Sequence, residues 1–379
     1  MKKKQAEIKS VMEKNNMTVR IKKSHTYFED KTHTILTDDV FTYVDFYFKT
    51  HARNLKSQKT GKKIEENYEF YWQQARHFYL AAKQLPIESA PLPMYYAMLN
   101  AAKSLILFKT KDVDATVKNM GNHGLHEFND KQGSEKQLDT IKIERDRYGV
   151  FVEFSKYLDA EFDEVWKDKG QNGYYSVKEL MYQLAFIHRA YATTYSLPKS
   201  QELFIPLDPG ISPTFYKFSD GKSYLVCNLQ KRYFKSSAVN IPQDIVDSLP
   251  IDFVPYYQND FRIVSKDPVS QKDIKNVYRR YRKNFQYIVS EDRLWYIKRK
   301  SITDIGIHNI NSLSAIMAIT HRFSEIVRYK PEQLSKLLAG KENWIIHEFI
   351  NLALDQFFDE IACEITGFEI MMTRKKTNI

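Results

Sequence analysis

Cysteine is almost missing from this chain. Cys227 and Cys363 are the only two in 379 residues, far apart and without metal-type spacing. A disulfide framework and a cysteine zinc site are therefore excluded, and a reducing cytoplasm is the expected compartment. No run of about 18 apolar residues occurs, so no membrane-spanning helix and no membrane partner are expected. The lysine-rich start Met1-Lys2-Lys3-Lys4 resembles a signal n-region but lacks the apolar stretch that must follow one. Also missing are a Walker-type glycine loop, a dinucleotide fingerprint, a Gly-x-Ser-x-Gly elbow and a zinc-protease motif, which disfavours ATP-driven and serine-hydrolase chemistry. No solenoid-length repeat is visible. No cofactor and no metal are expected.

What is present is a folded, basic chain. Hydrophobic residues make up 43% and aromatic residues 14%, enough for a large core in two domains or in one domain with an insertion. The formal charge of +10 favours polyanionic partners, although dispersed lysine also serves solubility.

The pattern along the chain predicts an α+β fold that is predominantly α-helical. Residues 1–64 read as a basic N-terminal arm and connector, 65–200 as the first half of a helical core, 201–300 as a basic β-containing insertion, and 301–379 as the second half of the core. Within the arm, residues 1 to about 26 have weak patterning, as in a loose segment or a short amphipathic helix. Lys49, Arg53, Lys56, Lys59, Lys62 and Lys63 form a basic connector without a carboxylate until Glu65. Helical spacing predicts a helix from Glu65 to Lys83, and Pro91 and Pro93 open another that covers Tyr95 to Phe108. Asn119 to Lys136 reads as a loop, and Thr140–Ile143 and Gly149–Phe154 as strand-like. Ser176 and Glu179 form a capping-box signature for a helix reaching Tyr195. Asp220-Gly221, between Thr214–Phe218 and Ser223–Leu229, is the strongest hairpin signal. Val277–Phe285 reads as a strand or a short helix, and Arg293–Lys298 as a strand. Helical patterns return at Asn311–Tyr329 and from Trp344 to a stop at Gly367.

Three groups of residues carry candidate chemistry. Tyr96, Asn100 and Lys103 fall at i, i+4 and i+7 on an otherwise apolar helix, and His123-Gly124-Leu125 follows. A histidine can transfer a proton near neutral pH while a lysine stabilises phosphate charge, and glycine beside His123 allows close backbone approach. The structural alternative has Asn100 bonding a helix and Lys103 reaching water. His321 and Arg328 share a helix face seven residues apart and could grip a phosphodiester, or could pair locally with Glu325. The basic–aromatic run from Lys272 to Lys300 includes Arg279, Arg280, Arg282, Lys283 and Arg293, with Tyr281 among the interleaved rings. Cations for phosphates and rings for unpaired bases suit RNA or single strands, while a solvated sheet face with buried aromatics gives the same alternation. His347, Asn351 and Asp355 form a further stripe that reads as helix surface.

The order of Tyr71–Lys83 with Pro91–Leu107, then His123-Gly124-Leu125, then Ser314–Pro331 with its Arg328-Tyr329-Lys330-Pro331 ending and the Trp344 helix, resembles the YaaC-like family of bacterial proteins. That helical core is in turn similar to HEPN-type bundles, many of which are ribonucleases or nucleotide-binding modules of toxin and antiphage systems. The HEPN nuclease signature, an arginine followed four to six residues later by a histidine, occurs only as Arg20 to His25, outside the helical core. Fold likeness does not fix function. The resemblance and the residues together lead to an expectation of RNA binding or metal-independent RNA cleavage in a bacterial stress or antiphage module. His123 would be the acid or base, Lys103 and Arg328 the phosphate stabilisers and Asn100 an orienting group. Tyr96, His321 and the Arg279–Lys283 cluster would bind substrate. The alternative is a non-catalytic scaffold that binds a protein partner or forms a homodimer.

Overall fold

A computed structural model describes residues 17–28, 33–63, 67–128, 137–158, 174–218, 220–234, 238, 240–255, 261–270, 272–290, 294–300 and 310–372. Residues 1–16 of the arm, Glu65 and Arg293 lie outside the described residues. Along the chain the described elements run β1 (Met17–Arg20), β2 (Thr34–Thr37), α1 (Val40–Thr50), α2 (Tyr68–Lys83), α3 (Pro91–Lys109), α4 (Val113–Asn119) and β3 (Leu125–Glu127). Next come β4 (Lys142–Arg145), α5 (Val150–Tyr157), β5 (Tyr174–Ser176), α6 (Val177–Tyr182), α7 (His188–Thr194), β6 (Phe204–Pro206), β7 (Thr214–Lys217) and β8 (Ser223–Asn228). They continue with α8 (Gln243–Asp247), β9 (Phe253–Pro255), β10 (Arg262–Ser265), α9 (Ile274–Arg282), β11 (Phe285–Ile288) and β12 (Leu294–Lys298). The series closes with α10 (Ser312–Tyr329), α11 (Pro331–Leu338), α12 (Asn343–Thr366) and β13 (Glu369–Met372). The fold is α+β with helix predominating. No described helix is long and apolar enough to cross a membrane.

The chain divides into two units, one of Met1–Asp30 with Leu197–Ile307 and one of Lys31–Ser196 with His308–Ile379. The second is helical and is organised around α3, which packs against α2, α5, α10 and α12. A helix surrounded on so many sides must be apolar nearly all round. Met94, Met98 and Leu105 fill the contacts, while the fully buried Ala97, Ala101 and Ala102 let neighbouring backbones come close. Pro91 starts α3, where its missing N–H costs no helical hydrogen bond. Side-chain caps fix other starts: Asn67 accepts from Glu69 N–H, Asn311 from Leu313 N–H, and Ser176 with Glu179 closes the full capping box. Gly367 ends α12 in the left-handed region at φ 77°.

Several local expectations change. Gly149–Phe154, strand-like in sequence, is instead the start of α5, because the carbonyls of Asn122 and His123 accept from the Val150 and Phe151 N–H groups and satisfy its first turn. The run from Ser176 to Tyr195 breaks into α6, a 3₁₀ turn at Ala185–Ile187 and α7. The loop after Asn119 contains β3, which pairs antiparallel with β4 in the sheet β3-β4-β5. β2 and β13 pair in parallel, bringing Thr34 opposite Glu369.

The other unit holds a five-stranded sheet in the order β1-β7-β8-β10-β9 and a three-stranded sheet β11-β12-β6, every pairing antiparallel. Residues 17–20 of the expected loose arm are therefore a strand. β7 and β8 form the hairpin flagged by Asp220-Gly221, with Gly221 at φ 77°. Of Val277–Phe285, residues 277–282 lie in helix α9 and Phe285 opens β11, with Tyr278 and Tyr281 in the unit's core together with Phe215, Leu225 and Trp295.

Candidate functional site

Three segments of the helical unit meet at one place. α3 supplies Tyr95, Tyr96, Asn100 and Lys103, the loop before β3 supplies His123, and α10 supplies His321, Arg322, Glu325 and Arg328. The loop is held by a glycine crossing. Gly124 (φ 85°) and Gly149 (φ 136°) approach so closely that a Cβ on Gly149 would lie 2.5 Å from the Gly124 Cα and N. Only glycine fits there. The crossing puts the Asn122 and His123 carbonyls on the first turn of α5, at 2.9 and 3.0 Å from the N–H groups of Val150 and Phe151.

His123 Nδ1 is 2.8 Å from the hydroxyl of Tyr95, a residue only 2% exposed. The Tyr95 ring also meets His321 edge-on, with centroids 4.7 Å apart, and the two imidazoles are 5.9 Å apart. Under this cluster lies an ion network. Arg322, 1% exposed, places Nη2 2.9 Å from Glu127 Oε1 and Nη1 3.4 Å from Glu325 Oε2. Glu127 also accepts from Lys330 at 2.8 Å, and Glu325 Oε2 stands 3.7 Å from His321 Nδ1. The His321 Nδ1 atom itself makes no hydrogen bond. On the strand side, His126 lies between Glu144 (3.3 Å) and Asp146 (3.0 Å).

These surroundings set the protonation states. Desolvation, with the positive charges of Lys103 and Arg328 adding to it, lowers the His123 pKa below its ordinary value; Asp146 opposes the shift. His123 is therefore neutral at pH 7. Burial pushes His321 down to about 3, with His123 and Arg322 contributing. The Tyr95 phenol is held protonated by burial, and Glu325 is raised chiefly by burial. Lys103 is lowered by desolvation alone. Neither Lys103 nor Arg328 has a carboxylate partner among the described residues: the Lys103 ammonium lies over the Tyr71 ring at 5.1 Å and the Arg328 guanidinium over its neighbour Tyr329 at 5.0 Å. A neutral histidine within electrostatic reach of two cations that lack a carboxylate partner suits an anion. If Nδ1–H donates to Tyr95, the Nε2 lone pair of His123 is left to accept a proton.

His123 and His321 thus come together around Tyr95, and Lys103 and Arg328 lie within electrostatic reach of His123. Asn100 and Tyr96 take local roles: Asn100 Nδ2 donates to the Tyr96 carbonyl at 2.7 Å, and the Tyr96 ring stacks on Phe78. The Arg279–Lys283 cluster belongs to the other unit and divides by exposure. Tyr281 is buried edge-on against Phe215, and Arg282 is 1% exposed, donating to the carbonyls of Lys22, Lys23 and Phe285, so neither is presented to a nucleic acid. Arg279 bonds the Thr26 hydroxyl at 2.9 Å, Lys283 is partly buried, and Arg280 is exposed with its guanidinium over the Tyr281 ring. Asp355 of the last polar stripe accepts from Tyr79 and Lys83. Among the described residues no group of three or more His, Cys, Asp and Glu could hold a metal ion.

Tyr95 and Gly149 are the residues of the candidate site that the sequence pattern does not single out. Tyr95 sits one place from the polar stripe and belongs to the apolar face by spacing, so only the fold shows its hydroxyl reaching His123. The chain matches the YaaC-like protein family over residues 18–365 and belongs to it. No curated protein and no solved structure matches.

Proposed function

We propose that this site cleaves RNA phosphodiesters without a metal, with His123 as general base and Lys103 and Arg328 holding the phosphate. The observation that carries this is the neutral His123 set against the Tyr95 hydroxyl, within electrostatic reach of two cations that have no carboxylate partner among the described residues. In the step, His123 Nε2 takes the proton of a ribose 2′-hydroxyl, the 2′ oxygen bonds to phosphorus, and the P–O5′ bond breaks. The departing 5′ oxygen takes a proton from water, and a 2′,3′-cyclic phosphate remains. Cations near the phosphorane stabilise charge that grows during the step. Tyr95 fixes the ring that moves the proton, and the buried Arg322 network keeps α10 in register with β3. The likeness to HEPN-type bundles, drawn from sequence, belongs to the same proposal.

The test is cleavage of end-labelled single-stranded RNA by purified protein, with and without a chelator. Removing a positioned base costs about 10²–10⁴-fold in rate. His123→Ala is expected to lose at least a hundredfold, with the chelator having no effect and the product ending in a cyclic phosphate. Equal cleavage by wild type and His123→Ala, or no cleavage by wild type, would overturn the proposal and favour a scaffold.

A further inference from the structure

Tyr329 is the last residue of α10 and is 66% exposed, the adjoining residue to Arg328. Single exposed rings are ordinary on protein surfaces and carry nothing alone. This one differs in three respects. Its face is covered on one side by the Arg328 guanidinium, 5.0 Å from the ring centroid, and that same guanidinium acts electrostatically on His123. The backbone beside it is held on both sides: the Lys330 N–H caps the helix on the Ile326 carbonyl at 2.8 Å, Lys330 Nζ is tied to Glu127 at 2.8 Å, and Pro331 begins α11 at once. A second ring, Tyr148, is 55% exposed in the turn between Asp146 and Gly149, next to the crossing that holds His123.

We infer that Tyr329 is the platform on which one unpaired nucleobase stacks, beside the phosphate gripped by Arg328. The inference rests on the phosphate site proposed above and adds to it the chemistry of the neighbouring group. A cation that lies over a ring and also donates to a phosphate links base and backbone of one nucleotide. A ring face recognises any base, but only one that is free of a complementary strand, because a paired base is already stacked within its helix. The ligand is thus a base joined to a phosphate in a single strand, with little choice of base.

Binding separates this from cleavage. The probes are inorganic phosphate, a nucleoside 5′-monophosphate, and a short single-stranded oligodeoxynucleotide, which has no 2′-hydroxyl and cannot be cut by the step above. Tyr329→Ala is expected to weaken the mononucleotide and the oligonucleotide about tenfold, the loss of one base–aromatic stack, and to leave phosphate affinity as it was. Tyr329→Phe should recover the loss, and annealing the oligonucleotide to its complement should remove the sensitivity to Tyr329. Wild-type affinity for the oligonucleotide in Tyr329→Ala, an equal loss for phosphate, or no oligonucleotide binding by wild type would overturn the inference. Failure of His123→Ala to abolish RNA cleavage sinks the catalytic proposal alone and leaves this measurement standing.

Discussion

Alanine at Gly149 should unfold the helical unit early, and the size of the effect follows from two terms. The first is backbone strain. Gly149 sits at φ 136°, a conformation that costs a residue with a side chain about 1–3 kcal/mol. The second is overlap, since the new Cβ would lie 2.5 Å from the backbone of Gly124 and 3.1 Å from the Asn122 carbonyl oxygen. No flexible side chain can swing aside, so the chains must part, at about 1–3 kcal/mol more. Together these give about 2–6 kcal/mol. For a unit of this size that is a fall in Tm of roughly 4–24 °C. Circular dichroism at 222 nm reads it, with Gly121→Ala as the control: Gly121 is in the same loop, has no positive φ and would meet nothing within 4 Å. The control should stay within about 0.5 kcal/mol of wild type. Because the crossing also sets His123, Gly149→Ala should, if the site cleaves RNA as proposed, cleave more slowly even at temperatures where the variant remains folded. If both variants melt together and cleave alike, the crossing does not hold the site.

Three other outcomes are expected. Arg322→Met strips Glu127 and Glu325 of their shared buried partner and should cost about 3 kcal/mol in urea unfolding, with much of that recovered when Glu127→Gln is added. His321 is held neutral down to about pH 3 in the folded chain, whereas the unfolded chain takes up that proton near pH 6.5. Stability should therefore be level above pH 6.5 and fall by up to about 1.4 kcal/mol for each pH unit below it, a slope that His321→Gln should reduce. If His123 is the base, the cleavage rate should rise with pH through an inflection below the ordinary histidine pKa and then level off. Lys103→Met removes a charge that depresses that pKa, so the inflection, or the His123 NMR titration, should move to higher pH; an unmoved inflection would show that Lys103 does not act on this imidazole.

Helix starts and stops were largely legible because their signals are local. Pro91, the Ser176–Glu179 box and Gly367 act within one turn, and each marks the end it announces. The Gly149 segment was not, since its first-turn N–H groups are satisfied by carbonyls 28 residues earlier in the chain, and no local pattern reports a partner that distant. The basic insertion shows the limit of composition. Alternating cations and rings from Lys272 onward look the same in sequence whether they face solvent or core, yet Arg282 is consumed by three backbone carbonyls while Arg280 is exposed. For the site, the pairing of His123 with His321 depends on α3 and α10 lying side by side. Spacing within either helix gives the stripe but not its neighbour.

The interleaving of the two units along the chain has a consequence for the protein as it is made. Tyr95, Lys103 and His123 leave the ribosome before residue 197, whereas His321 and Arg328 follow only after Leu197–Ile307 of the other unit has been synthesised. At about 5–20 residues per second that is a delay of roughly 6–22 s. During it, the α3 face that later meets α10 has no such cover, and the histidine has only one of its two cations. If the site acts on RNA as proposed, a nascent chain cannot complete it until Arg328 has been added, so the order of the segments delays the activity to the late part of synthesis.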